Sequence, residues 1–178
     1  MNDNHTSYVN NRVLKIQVGF LLNEGVGNSR DTEFDVPHLL VDNDMLLDYL
    51  GGTLHLSRNS RGVLVQGTLQ ASIRGECARC LQEDVPLELT LPIEELFVYP
   101  ATPDANFSIP ETGLLDLAPL IREEVIVQTP ITVLCRPNCA GLCPECGKNL
   151  NDGPCDCDKD NIDPRLAALK QLRDQLDT

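Results

Sequence analysis

The chain has 178 residues, with 27 acidic against 14 basic side chains and a formal net charge of −13. That length suits one ordinary domain with a small appendage, and the acidity argues against non-specific binding of DNA or RNA. Hydrophobic residues make up 42%, but Trp is absent and only 3 Tyr and 4 Phe are present, so the core must be aliphatic.

Residues 1–12 are polar and carry no apolar signal core, and no window approaches the ~18 uninterrupted apolar residues of a membrane helix. A cytoplasmic protein without membrane contact is expected. Arg12–Leu22 alternates at Leu14, Ile16, Val18 and Phe20 and predicts a strand, with the close of the run open to helix. Glu24–Ser29 is a turn cluster. Thr32–Val36 predicts a short strand stopped by Pro37, and Asp42–Tyr49 fits either a helical turn or a strand start. Thr53–Arg58 and then Val63, Val65, Leu69, Ala71 and Ile73 carry a clear period of two, broken by a turn at Asn59–Gly62. The same pattern resumes at Val85, Leu87, Leu89, Leu91 and Ile93. Two long amphipathic strands therefore flank Cys77-Ala78-Arg79-Cys80, which belongs at the tip of an antiparallel hairpin. Pro86 and Pro92 mark the second strand as an edge strand.

Tyr99–Gly113 holds three prolines and reads as an irregular loop. Asp116 can cap a helix whose apolar face is Leu117, Leu120, Ile121 and Val125, with Pro119 in its first turn and an end before Pro130. Asp163 and Pro164 open a last helix striped by Leu166, Leu169, Leu172 and Leu176, which either docks on its own chain or binds a partner. The expected fold class is α+β: an antiparallel sheet with a central helix, a Cys-rich zinc-binding loop segment and a C-terminal helix. The expected division is a mainly β part over 1–134, with a helix at about 116–128, and a Cys-rich part with the last helix over 135–178.

The chain has 8 cysteines, grouped as C-x2-C, C-x3-C, C-x2-C and C-x-C: Cys77, Cys80, Cys135, Cys139, Cys143, Cys146, Cys155 and Cys157. In a reducing compartment such clusters point to metal rather than disulfides, and all-sulfur donor sets select a soft tetrahedral ion, with Zn2+ the default. One or two structural ions are expected. Eight thiols divide into a local set, Cys143, Cys146, Cys155 and Cys157, and a long-range set, Cys77, Cys80, Cys135 and Cys139. The other partition joins the two C-x2-C pairs, Cys77, Cys80, Cys143 and Cys146. Metal closure of a long loop favours the first partition, while spacing alone leaves both open.

A four-thiolate zinc has no open position and is structural. The three histidines, His5, His38 and His55, all lie outside the Cys clusters. No H-x-E precedes a P-C-x-x-C as a zinc deaminase requires, and Cys77–Cys80 lies between strands rather than opening a helix as in thioredoxin-like sites. P-loop, dinucleotide and nucleophile-elbow motifs are missing from the sequence. Glu94–Glu95 and Glu123–Glu124 diverge on their elements and read as solvated. No enzyme and no small-molecule substrate are expected. The one net-positive segment, 51–84, holds Arg58, Arg61, Arg74 and Arg79, which form either a local basic face or four arginines scattered over two strands.

The sequence C-x-R-C-L at Cys77–Leu81, the stretch LIREEVIVQTPI at Leu120–Ile131, GLCPECGKNLN at Gly141–Asn151 and the closing DPRLAALK resemble the YceD-type large-subunit ribosomal RNA accumulation proteins. The resemblance spans about residues 13–173. It implies a non-enzymatic bacterial or organellar factor supporting 23S rRNA accumulation and large ribosomal subunit assembly, with the subunit precursor as partner through a basic ribosomal protein, 23S rRNA, or both. It carries over Cys77, Arg79, Cys80 and the Cys135–Cys146 cluster, and defines no catalytic residue. The competing expectation is a thiol–zinc redox switch or holdase chaperone, in which Cys155 and Cys157 are oxidised first.

Overall fold

A computed structural model describes residues 8–157. The helix expected from Asp163 lies outside the described residues. The molecule is α+β and mostly sheet. The five-stranded sheet has the order β1 (Val9–Asn10), β3 (Ser29–Asp42), β4 (Met45–Asn59), β5 (Gly62–Gly75) and β6 (Val85–Val98). β1 runs parallel to β3, and the remaining pairs are antiparallel. A small second sheet pairs β2 (Lys15–Gln17) with β7 (Leu114–Asp116). The helices are α1 (Gly19–Asn23) and α2 (Ala118–Gln128).

The period-two pattern builds β5 and β6 as the sequence predicts. Val63, Val65, Leu69 and Ala71 on β5 face inward beside Leu89, Leu91, Ile93 and Phe97 on β6, all buried. α2 covers this face with Leu120, Ile121 and Val125, and Leu117 just before it is fully buried. Asp116 Oδ1 accepts the Ala118 N–H at 3.0 Å, and Pro119 sits in the first turn, where a missing donor costs little. Arg122 holds Asp44 of the β3–β4 turn through two guanidinium contacts, of 2.6 and 3.0 Å, pinning the helix to that end of the sheet.

The pairing of Gly75 with Val85 places Cys77–Cys80 at the tip of the β5–β6 hairpin. β6 is the edge strand, as its prolines require. Both prolines fall at positions whose backbone groups point away from β5. Val98, in the same phase, sends its N–H to Phe107 O and its carbonyl to Ile109 N. Pro92 thus interrupts the open edge without costing a ladder bond.

Two expectations fail. The strand expected over Arg12–Leu22 shrinks to β2, preceded by a 3-10 turn (Asn11–Leu14), while α1 bears out the helical close that the sequence left open. The run's apolar residues Leu14, Val18 and Leu21 are all buried, and these irregular turns bring them inward where an extended strand would bury only one face. Pro37 does not stop β3, which continues to Asp42. Among the described residues β1 pairs only with Leu39 and Leu40, so no described strand pairs with the outer edge at Pro37, where a proline removes no described ladder bond. The next residue, His38, takes a φ of 49°, and the buried positions shift from Phe34 to Leu39 and Val41 across it.

Gly52 and Gly67 make the central pair possible. They take φ of +134° and +154°, and a Cβ at Gly67 would stand 2.4 Å from the Thr53 carbonyl oxygen. Side chains at either place would push β4 and β5 apart.

Candidate metal centres

The eight thiols come together in two groups of four. Cys77, Cys80, Cys135 and Cys139 form one, and Cys143, Cys146, Cys155 and Cys157 the other, with the sulfurs of each group within 4.8 Å of one another. This is the division into a long-range and a local set; the two C-x2-C pairs do not share a group. The Sγ separations are 3.8 Å for Cys77–Cys139, 3.6 Å for Cys80–Cys135 and 3.4 Å for Cys143–Cys155. A disulfide would bring sulfurs to about 2 Å. A tetrahedron with metal–sulfur bonds of ~2.3 Å puts its corners about 3.8 Å apart. The donor set therefore fits a tetrahedral, thiophilic ion in both places.

Both C-x2-C pairs fold into the same turn. In the first, Leu81 N–H donates to Cys77 O at 2.9 Å and Cys77 N–H donates to Gln82 O at 2.9 Å. In the second, Gly147 N–H donates to Cys143 O at 2.9 Å and Cys143 N–H donates to Lys148 O at 2.8 Å. The turn demands a left-handed residue after the second cysteine: Gly147 supplies it at φ +71°, and Leu81 is forced into it at φ +56°. Backbone N–H groups inside each turn aim at the leading sulfur. The N–H groups of Cys135, Cys80 and Arg79 converge on Cys77 and, against the opposing effect of burial, lower its thiol to about 6. Those of Cys146 and Glu145 lower Cys143 to about 6.

Three other thiols, Cys80, Cys135 and Cys157, are pushed the opposite way. Burial and the neighbouring Cys80 and Cys139 raise Cys135 to about 12. The Gln82 N–H pulls Cys80 down, but burial and the contacts with Cys77 and Cys139 outweigh it. Contact with Cys146, together with burial, raises Cys157 to about 12. Four thiolates so close repel one another, and a cation at their centre removes that conflict. Among the described residues these are the only two groups of His, Cys, Asp or Glu arranged to hold an ion.

The first group sits on the sheet; the second hangs from the first. Ala78 N–H donates to Val133 O at 2.8 Å, and Leu142 N–H to Arg79 O at 3.1 Å, fastening the irregular tail to the hairpin tip. Val85, Val133, Leu134 and Leu142 pack around the first group. Its cysteines are buried except for Cys135, which is half-buried. In the second group Cys146 is exposed and Cys155 and Cys157 half-buried. Asn151 links the two: its Nδ2 donates to Cys139 Sγ at 3.3 Å, lowering that thiol, and its Oδ1 accepts the Ala140 N–H at 2.8 Å. Asn149 Oδ1 in turn accepts from Asn151 N and Nδ2. The Asn-Leu-Asn that follows the second turn is thus a sulfur-positioning device. Reading the cysteines alone misses it, although its place in the GLCPECGKNLN string was the available signal.

Three of the four arginines of segment 51–84 are engaged within the chain, and the exposed Arg61 alone does not make a basic face. Arg79 Nη1 donates to Cys139 O at 2.9 Å, Arg74 pairs with Asp48 at 2.8 Å, and Arg58 donates to the carbonyls of Asn59 and Gly62. By contrast, the uncovered face of the main sheet is acidic. Asp31, Glu33 and Asp35 line one side of it on β3, and Glu88 and Glu94 the other on β6, all exposed.

A largely antiparallel sheet with two four-cysteine groups, each able to hold a metal ion, folded onto its end describes the class. The sequence profile of the large ribosomal RNA subunit accumulation protein YceD family matches residues 65–173, from β5 through both groups. The chain belongs to the YceD family. It is 37% identical over 140 residues to an uncharacterized protein of Mycobacterium tuberculosis, covering 75% of this chain and 65% of that one. It is 30% identical over 122 residues to the uncharacterized protein YlbN of Bacillus subtilis, covering 66% of this chain and 70% of that one. A chloroplastic YCED homolog 1 of Arabidopsis thaliana, titled a large ribosomal RNA subunit accumulation protein, is 37% identical over 67 residues, 38% of this chain and 21% of the homolog. The chain thus spans just under two thirds of the mycobacterial relatives it matches. No solved structure matches it.

The paired turns generate a contrast. Nothing lies within 4 Å of a Cβ at Gly147, so Gly147→Leu costs backbone strain alone, about 1–2 kcal/mol. Leu81 is 57% exposed, so Leu81→Gly releases the same strain and loses little packing. It should be neutral or stabilising by up to ~1 kcal/mol after the entropy cost of glycine. Equilibrium denaturation of both variants checks this; a Leu81→Gly variant destabilised by more than ~1 kcal/mol would show that the side chain, not the turn, matters.

Proposed function

We propose that each four-cysteine group holds one structural Zn2+, and that the protein is a non-enzymatic factor supporting 23S rRNA accumulation and assembly of the large ribosomal subunit. Closure of both groups carries the metal half of this reading. Every corner of each tetrahedron is a sulfur, no position is left for water or substrate, and a closed all-thiolate zinc cannot activate a nucleophile. Cys77, Cys80, Cys135 and Cys139 would hold the first ion, and Cys143, Cys146, Cys155 and Cys157 the second. The ions would neutralise the clustered thiolates and order residues 131–157, which have little apolar surface of their own to bury.

Family membership supports the ribosomal half, and electrostatics narrows the route. With a net charge of −13 and Arg58, Arg74 and Arg79 engaged in internal contacts, the protein is poorly suited to grip RNA. An acidic sheet face suits a basic ribosomal protein, held and steered by opposite charge in the cytoplasm or an organelle. The redox-switch reading keeps one supporting observation, the greater exposure of the second group; the burial of the first favours a permanent staple.

Native mass spectrometry of the full chain should find two zinc ions. Cys143→Ser/Cys146→Ser should retain one ion, since the first group stands on the sheet. Loss of both ions, or none bound at the outset, contradicts the assignment. Purified protein mixed with RNA-free proteins of the large subunit should capture basic members of that set, with affinity falling as salt rises. Salt-insensitive binding to naked rRNA alone would overturn the partner assignment.

A further inference from the structure

α2 is apolar on two sides at its C-terminal end. Val125 is buried against the sheet, while its neighbours Ile126 and Val127 are 56% and 73% exposed. Three residues past the helix, Ile131 is fully exposed. A helix end that buries one apolar stripe and shows a second to water is unpartnered on its outer side. Ile126 and Ile131 border a groove of about 480 Å³ floored by Met45, Leu46, Ile73 and Val125. The groove runs across Asp44, Leu46 and Arg74 into a polar recess of about 520 Å³ that adds Asp48, Asp84, Tyr8 and His38. Nothing among the described residues fills either part.

Carboxylates outnumber guanidiniums around this groove. Asp44, Asp48 and Asp84 edge it; Arg122 holds Asp44 at 2.6 and 3.0 Å and Arg74 holds Asp48 at 2.8 Å, which leaves Asp84 without a cation among the described residues. The C-terminal end of α2 opens at Thr129 and Pro130 on the same rim and adds the negative pole of the helix dipole. An apolar floor inside an anionic rim selects aliphatic side chains flanked by cations. It repels a phosphate backbone.

We infer that this groove is the docking site for a short segment of a basic protein, one that seats aliphatic side chains against Leu46, Ile126 and Ile131 with Lys or Arg beside Asp84. The inference rests on the basic-partner reading above and locates it. The groove lies beside the hairpin tip, since Asp84 closes the loop that carries Cys77 and Cys80 and Ile131 begins the segment that carries Cys135. The metal-ordered tail and the docking groove therefore share a border. The acidic sheet face attracts the partner from a distance, and the groove supplies the desolvated apolar contact that holds it.

The test uses the full, metal-loaded chain carrying photoreactive benzoylphenylalanine at position 131, or at 127 as a second label. A control carries it at exposed Thr68 on the open sheet face. The probe is the RNA-free protein fraction of purified large ribosomal subunits, with naked 23S rRNA in a parallel arm. Labels at 131 and 127 should crosslink to a Lys/Arg-rich segment of one or a few proteins, and the label at 68 should not. Ile126→Ser/Ile131→Ser, a change of exposed side chains only, should weaken binding about tenfold or more. Equal crosslinking at 68, or unchanged affinity in the double variant while basic proteins are still captured, overturns the groove and leaves the basic-partner reading standing. Crosslinks from 131 to residues 158–178 of the same chain overturn it by showing that the chain fills its own groove. Crosslinks to RNA alone overturn both.

Discussion

Everything beyond the sheet depends on the convergence of four sulfurs from two distant parts of the chain. Cys77 and Cys80 belong to the β5–β6 tip, Cys135 and Cys139 to the tail, and their sulfurs lie 3.6–3.8 Å apart in the two closest pairs. Peptide N–H groups favour the anionic form at Cys77, while crowding and burial oppose it at Cys135. Left to themselves, these sulfurs repel as thiolates. The tail has few other reasons to stay: Val133, Leu134 and Leu142 form a satellite cluster outside the main core. A divalent ion at the centre would reverse the sign of that balance and turn the crowding into the fastening.

The repeated turn shows how the fold economises. The same ring of backbone bonds surrounds Cys77 and Cys143, but only the second uses glycine where the left-handed residue is required. The first is carried by two long strands, so the sheet can hold Leu81 in a conformation it would not choose. The second has no sheet beneath it; glycine and the Asn149–Asn151 bonds do the holding. Burial follows the same order, with the first group enclosed and the second nearer water. One site therefore suits a permanent staple, and the other a peripheral one whose order passes through Asn151 to Cys139.

The sequence was most readable where one physical signal dominated. Alternation at Val63–Ile73 and Val85–Ile93 gave the central hairpin, its edge position and the place of Cys77–Cys80, because one side of each strand faces the core for its whole length. The four-residue face of α2 was equally plain. The strand within Arg12–Leu22 was read too long because alternation also arises when successive turns each bury one apolar residue. Pro37 was misread because a proline blocks only a paired edge, and pairing is a tertiary fact. Spacing left open which cysteines share a group, and only the entropy of closing a long loop favoured one division; the three-dimensional path of 81–134 between them decides it. The groove by α2 left no pattern at all, since Met45, Ile73 and Ile131 meet only after folding.

The central claim is that the long-range sulfur group is required for the protein's part in building the large subunit. The direct measurement is the ratio of 23S to 16S rRNA in host cells depleted of the protein, with wild type or Cys77→Ser/Cys80→Ser supplied in parallel. A ratio that falls on depletion and recovers with wild type alone is the expected result. Equal recovery with the double variant would contradict the requirement for that group, and a ratio unmoved by depletion would contradict the ribosomal role itself.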